Sequence, residues 1–157
     1  MLGPRCQARS LSPVVGKFKI NHFEFIIFAI LFSRANMSNY KGLEIYQLAF
    51  DLSVKVHHAS LNLPAFELYE QGSQIRRSSK GVKDAIVEGY GRRRYKADYI
   101  KFLTYAIASC DETENHVFTI RTLYPDLHEF KEFEDPYDKL GRKINNYLQY
   151  VEEHWNT

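Results

Sequence analysis

The 157-residue chain is long enough for one domain with a hydrophobic core, and its 45% hydrophobic and 25% charged residues are ordinary for a globular protein. Its formal net charge of +2 is unevenly distributed. Residues 76–101 contain nine Lys or Arg against three Asp or Glu, whereas residues 111–157 contain five against eleven. This polarity indicates an anionic partner, charge-matched contact between copies of the chain, or two solvated surfaces.

The two cysteines exclude a disulfide framework. Cys110 lies among apolar neighbours in a predicted helix, where a free thiol behaves as a small hydrophobic group. This cysteine usage favours a reducing compartment, so we expect a cytoplasmic protein.

Residues 1–36 differ from the rest of the chain because glycine and proline interrupt any long helix. Their apolar run, Phe25–Phe32, has eight residues, far fewer than the roughly 20 that span a bilayer. Two lysines precede the run, so a cleaved signal peptide is an alternative. We prefer Met37 as the natural start, with residues 1–36 a disordered or wrongly annotated extension and residues 37–157 the domain.

Hydrophobic residues recur at helical spacing in four segments. We predict helices over residues 42–61, 65–90, 96–123 and 137–155. The first carries two apolar stripes on different sides and therefore needs two packing partners, of which another subunit can be one. Residues 130–136 form an acidic connection with weak periodicity, and no segment alternates with the period of a strand. The sequence therefore predicts an all-α, antiparallel, up-and-down four-helix bundle.

The second predicted helix has one apolar or small face and one basic face. Leu68, Ile75, Val82 and Gly89 lie a heptad apart. The sequence predicts that four basic residues of this helix point outward: Arg76, Arg77, Lys80 and Lys83. We expect Gly89 and Gly91 to end this helix by adopting a left-handed backbone.

Five sequence segments together resemble one protein family. They are Leu43–Ala49, Gln74–Ser79, Ile86–Arg92, Phe102–Ala106 and Ser109–Thr113. In this set the chain resembles the four-helix bundle proteins encoded within intervening sequences of bacterial 23S ribosomal RNA genes. The resemblance implies a homo-oligomeric ring, commonly a pentamer. It also implies a non-enzymatic role associated with nucleic acid, because a related accessory protein of retroelements binds nucleic acid and a reverse transcriptase.

Two positions depart from the pattern of that family. The family often has Ser and Asn where this chain has Gly81 and Ala85. A glycine inside a helix costs about 1 kcal/mol relative to alanine, but small residues at these positions can bring two helices closer together.

A basic turn follows the second helix and is the leading candidate site. Arg92, Arg93, Arg94 and Lys96 occur together with Tyr90, Tyr95 and Tyr99. Guanidinium groups beside aromatic rings suit phosphate contact and base stacking, so we predict RNA or DNA binding here and along the basic face of the second helix. The alternative is that these arginines cap helix carbonyls or pair with carboxylates within or between subunits, which leaves a protein partner as the ligand.

Other chemistry-bearing residues indicate structural roles. Glu88 is expected to be a buried or half-buried partner of Arg76 or Arg92. Glu112 and His116 have the wrong spacing for a di-iron site and lack a second copy of the motif. We therefore predict no catalytic residue, no metal, no cofactor and no membrane partner.

Overall fold

The computed structural model describes residues 39–155, so the predictions for residues 1–36 lie outside the described residues. It contains α1 Glu44–Ser60, α2 Gln71–Gly91, α3 Lys96–Leu123 and α4 Glu134–His154, with short 3-10 helices at Tyr40–Gly42 and His128–Phe133. Residues 39–155 contain no strand, and the four helices pack against one another. The predicted all-α four-helix bundle is confirmed. None of the helices in this range is long and apolar enough to cross a lipid bilayer.

Each helix packs against the next in chain order, and α4 returns to α1 to close the bundle. The α2–α3 contact is the most extensive of these contacts, and the α1–α4 contact is the least. The turn between α2 and α3 lies at the same end of the bundle as the end of α4, because the indole nitrogen of Trp155 donates a hydrogen bond to the Arg93 carbonyl.

The core is formed by the apolar faces that helical spacing predicted. Ile75 and Val82 of α2 are fully buried, as are Leu103 of α3 and Ile144 of α4. Cys110 is also fully buried, and its thiol lies 3.4 Å from the Tyr137 carbonyl, so its predicted role as a small core residue is confirmed.

Gly89 serves close packing and does not end α2. The helix continues through Gly91 to a cap at Arg92, and no glycine in residues 39–155 has a positive φ, so the predicted left-handed termination is wrong. A Cβ atom at Gly89 would lie 2.9 Å from Cβ of Phe102 and 3.1 Å from the Tyr99 ring. A Cβ atom at Gly91 would meet nothing within 4 Å. Glycine is therefore required at Gly89 because α3 approaches its backbone closely.

A second close contact between α2 and α3 involves small and hydroxyl-bearing residues. A Cβ atom at Gly81 would lie 3.1 Å from Oγ of Ser109, consistent with the expected close approach at this position. The hydroxyl of Thr113 lies 2.9 Å from that of Ser78 and 2.8 Å from the Ser109 carbonyl. These buried polar groups are satisfied, so they fix the register of the two helices.

The sequence predicted that α2 begins at Ala65, but the helix begins at Gln71. The preceding residues form turns in which the Glu67 amide donates to the Pro64 carbonyl. Glu67 is 7% exposed, and its carboxylate accepts hydrogen bonds from the Gln71 amide and the Tyr124 hydroxyl. This buried carboxylate satisfies a free amide at the start of α2, so the helix begins there.

α4 begins at Glu134, three residues before the predicted start. Pro136 lies in its first turn, where proline is tolerated because the amide that it lacks has no partner within the helix. The connection before α4 contributes Phe130 and Phe133 to the core. Their spacing of three residues matches the 3-10 helix, so the periodicity of an α-helix did not reveal them.

Candidate nucleic-acid interface

The basic turn joins the end of α2 to the start of α3 at one end of the bundle. The Arg92 amide donates to the Glu88 and Gly89 carbonyls, and the Tyr95 amide donates to the Arg92 carbonyl at 2.8 Å. These backbone bonds define a compact turn, within which Arg92 and Arg93 have different partners.

Arg93 holds the turn together. Its guanidinium group donates to the Tyr90 carbonyl at 2.8 Å and lies 4.0 Å from the centroid of the Tyr90 ring. Its own carbonyl accepts the hydrogen bond from Trp155 at 2.9 Å. Arg93 thus caps the end of α2, which is the structural alternative considered from the sequence.

Arg92 and Arg94 are exposed at the surface of the turn. The Arg92 side chain is 57% exposed, lies 3.6 Å from the Asp98 carboxylate and stacks 5.0 Å from the centroid of the Phe102 ring. A surface ion pair of this kind contributes only about 0–1 kcal/mol. An incoming phosphate can therefore replace the carboxylate as the partner of Arg92 at small cost.

The three tyrosines that the sequence grouped with these arginines lie in three different environments. Tyr99 is fully buried, with its hydroxyl 3.0 Å from that of Tyr147, and desolvation raises the pKa of Tyr99 well above its usual value. Tyr90 is half-buried and packs against Arg93. Only Tyr95, which is 64% exposed, is free to stack on a base.

α3 extends the aromatic surface beyond the turn. Tyr105 is 48% exposed, and its ring lies 5.7 Å from that of Phe102 and 5.8 Å from the Lys101 ammonium group. Sequence reasoning did not assign Lys101 or Tyr105 to the site. Their spacing of four residues on one helix was the signal that could have identified them.

Arg76 of α2 points inward, so the outward position predicted for it is wrong. Its guanidinium group donates to Oγ of Ser60 at 3.0 Å and to the Leu68 carbonyl at 2.7 Å. Gly72 makes room for it, because a Cβ atom there would lie 2.9 Å from an Arg76 guanidinium nitrogen. Arg76 therefore connects α2 to α1 and to the loop between them.

The remaining basic residues of α2 do not form one surface with the turn. The exposed stripe of α2 runs from Arg77 and Lys80 to Asp84 and Glu88, so two carboxylates separate the basic pair from the turn. Lys83 is 22% exposed and forms an ion pair with Asp84. Arg77 and Arg92 are fifteen positions apart, which corresponds to about 22 Å along a helix axis.

Glu88 does not form the buried ion pair that was expected of it. Its side chain is exposed, and no ion pair joins it to Arg76 or Arg92 in the described part of the chain. Its contribution to the turn is its backbone carbonyl, which accepts the Arg92 amide at 3.1 Å.

A groove of about 470 Å³ lies between α3 and α4 on the acidic part of the molecule. Phe118, which is 64% exposed, lines it together with five carboxylates. These are Asp111, Glu114, Glu134, Asp135 and Asp138. Desolvation, and then the charges of Asp111 and Asp138, raise the pKa of Glu114 above its usual value. Within residues 39–155 no group of three or more metal-ligating side chains is placed to hold an ion.

The comparison with known proteins identifies the family. Residues 41–146 match the family model described as 23S rRNA-intervening sequence protein. No curated protein and no solved structure matches the chain. The matched range includes α1, α2, α3 and the larger part of α4, and it covers more than half of the chain. The chain therefore belongs to the family of 23S rRNA-intervening sequence proteins.

Proposed function

We propose that this protein is a non-enzymatic, self-associating bundle of the cytoplasm that binds RNA or DNA through its basic turn. The observation that carries the proposal is the pair of exposed arginines, Arg92 and Arg94, beside the exposed ring of Tyr95. Arginine forms paired hydrogen bonds with phosphate, and an exposed aromatic ring stacks on a base without sequence preference.

The site is a rigid one, which favours binding. Arg93 and Trp155 fix the backbone of the turn against α2 and the end of α4. A turn that is already ordered loses little conformational entropy when a ligand binds. Lys101 and Tyr105 continue the same combination of cation and aromatic ring along α3, so a single strand can follow α3 away from the turn.

Self-association is supported by the outer face of α1. Phe50 is 45% exposed, Val54 is 41% exposed and Leu61 is 54% exposed, all on the apolar stripe for which the sequence predicted a second packing partner. The family resemblance implies a ring, commonly a pentamer. A ring repeats the basic turn once per subunit, and simultaneous contacts to one nucleic-acid strand raise the overall affinity by avidity.

The proposal is tested by fluorescence anisotropy with a labelled single-stranded RNA over a range of salt concentrations. We expect the double variant R92A/R94A to bind more weakly and to retain the oligomeric mass of the wild-type chain. Removing two phosphate contacts should reduce the slope of log affinity against log salt by about 1.4. K131A/K139A is the matched control, because it removes two exposed positive charges elsewhere and should retain binding.

Two results would contradict nucleic-acid binding at the turn. One is that the wild-type chain does not bind RNA at low salt. The other is that R92A/R94A and the control variant lose equal RNA affinity. A second candidate function, a protein-interaction module, is favoured by the acidic groove with its exposed Phe118. If R92A/R94A dissociates the oligomer, the arginines act between subunits, and this second function is preferred.

A further inference from the structure

We propose that one copy of the chain docks its α1–α2 face onto the α3–α4 groove of the next copy. This inference rests on the self-association in the proposed function, and it names the two surfaces that meet. The partner is a second copy of the chain, and the contact combines an apolar stripe with opposite charges.

The α1–α2 face carries exposed apolar side chains beside a row of cations. Phe50 and Val54 lie on its α1 side. Arg76 contacts Ser60 of α1, which shows that this side of α2 faces α1. Lys80 and Lys83 follow Arg76 at four and seven positions, so they continue along the same side of α2, where Lys83 is paired with Asp84 of the same chain.

The α3–α4 groove carries the complementary chemistry. Phe118 offers an exposed ring, and carboxylates surround it. Glu134 pairs with Arg121, and Asp138 pairs with Arg142, within the same chain. The other groove carboxylates, including Asp111 and Glu114, form no ion pair with any residue in the range 39–155. Cations from a second copy would relieve the repulsion between these clustered negative charges.

The order of the helices places the two faces on opposite sides of the bundle. Since each helix packs on its neighbours in the order α1, α2, α3 and α4, the α1–α2 face is directed away from the α3–α4 groove. A contact between two unlike faces is heterologous, and it either closes into a ring or continues as a filament. Such side-by-side contact leaves the basic turn at the bundle end accessible to nucleic acid.

Both surfaces of the contact occur on one chain, and this favours a second copy as the occupant. An unrelated partner would need to match only one face. Here cations next to apolar groups on one side correspond to carboxylates next to an aromatic ring on the other. Under this inference, Lys80 and Lys83 serve the subunit contact, and nucleic-acid binding depends on the turn.

Light scattering of two charge-reversal variants, separately and mixed, tests the inference. K80E/K83E makes the α1–α2 face acidic, and D111K/E114K makes the α3–α4 groove basic. Each variant alone should have a smaller molar mass than the wild-type chain, because its two faces then carry the same sign. An equimolar mixture should form particles of larger mass than either variant alone, since each contact between unlike variants again joins opposite charges. E152K/E153K, which reverses two exposed charges elsewhere on α4, should assemble like the wild-type chain.

The outcomes separate this inference from the proposed function. If the wild-type chain assembles and both variants do so equally well, the two surfaces are wrong, but self-association stands. If both variants dissociate, retain their helical circular dichroism and fail to assemble when mixed, the two faces do not meet, and the inference is overturned. If the wild-type chain is itself monomeric, self-association fails together with this inference.

Discussion

The α2–α3 pair and the outer face of α1 represent opposite kinds of surface. Where α2 meets α3, a Cβ atom added at Gly81 or Gly89 would lie within 3.1 Å of a side-chain atom of α3, and the buried hydroxyls are paired. α1 buries one face, including Ala49 and Val56, and exposes a second apolar face that includes Phe50 and Val54. Similar apolar periodicity therefore has two uses: at the α2–α3 contact it stabilises the folded protomer, and on the outer face of α1 it provides a surface for self-association under the proposed function.

This difference has a direct consequence for mutations. A tightly packed contact resists any change in volume because its neighbours cannot move apart without losing contacts of their own. An exposed stripe tolerates truncation in the folded protomer and is sensitive only in the assembly. Three substitutions at the α2–α3 contact and in the core of α3 test the tightly packed side of this comparison, and the first two each have a control variant.

Leu103→Ala should have the largest effect. Leu103 of α3 is fully buried, so truncation removes packed methyl groups and leaves a cavity, and we expect the free energy of unfolding to fall by about 2–5 kcal/mol. Tyr105→Ala on the same helix is the control, because its ring is 48% exposed and should contribute less than about 1 kcal/mol. Urea unfolding at one protein concentration measures both. Equal losses would show that α3 has no distinct buried face.

Gly89→Ala should have an intermediate effect and should differ in sign from Gly91→Ala. The new Cβ atom at Gly89 would approach Phe102 within 2.9 Å, and overpacking of this kind costs about 1–3 kcal/mol. Gly91 has open space around it, so alanine there should stabilise the helix by up to about 1 kcal/mol. Thermal unfolding monitored by circular dichroism compares the two variants. Stabilisation by both would contradict the close α2–α3 contact.

The buried Cys110 thiol should have no effect on stability near neutral pH and should act only at alkaline pH. Burial, and then the charges of Glu114 and Asp111, raise the pKa of Cys110 to about 12. Above about pH 8.5 the unfolded thiol loses its proton while the native thiol keeps it. The native state therefore binds more protons, and the free energy of unfolding falls as pH rises from about 9 towards 12, by at most about 1.4 kcal/mol per pH unit.

Cys110→Ala removes this titration and should make the loss of stability between pH 9 and pH 10.5 less steep. Burial also raises the pKa values of Tyr99 and Tyr137, so some alkaline destabilisation should remain in the variant. Urea unfolding at three pH values gives the two slopes. Parallel slopes would mean that the thiol is accessible to solvent in the native protein.

The helices were predictable where local signals define them. α3 runs from Lys96 to Leu123 as predicted, because a basic turn precedes it and Tyr124 with Pro125 follows it. The start of α2 was not predictable from local sequence. It depends on Glu67, whose carboxylate is held by Tyr124, a residue 57 positions away.

The candidate site was only partly predictable, for a related reason. Helical spacing assigns a side chain to a face, but it does not identify the neighbour that the face meets. Arg76 and Arg77 are adjacent in sequence, yet only Arg76 finds the Leu68 carbonyl within reach and turns inward. Likewise, Tyr99 is covered by Tyr147 of α4 and by Trp155, which directly follows α4, whereas Tyr95 remains exposed.

The emission of Trp155 offers the most direct measurement of nucleic-acid binding at the basic turn. Trp155 is the single tryptophan of the chain, and its indole nitrogen bonds the Arg93 carbonyl, so its fluorescence reports on the turn without a label. At low salt, single-stranded RNA should change this emission until the sites are saturated, added salt should reverse the change, and R92A/R94A should show a much smaller response. An emission spectrum that stays constant throughout the titration of the wild-type chain would contradict the account.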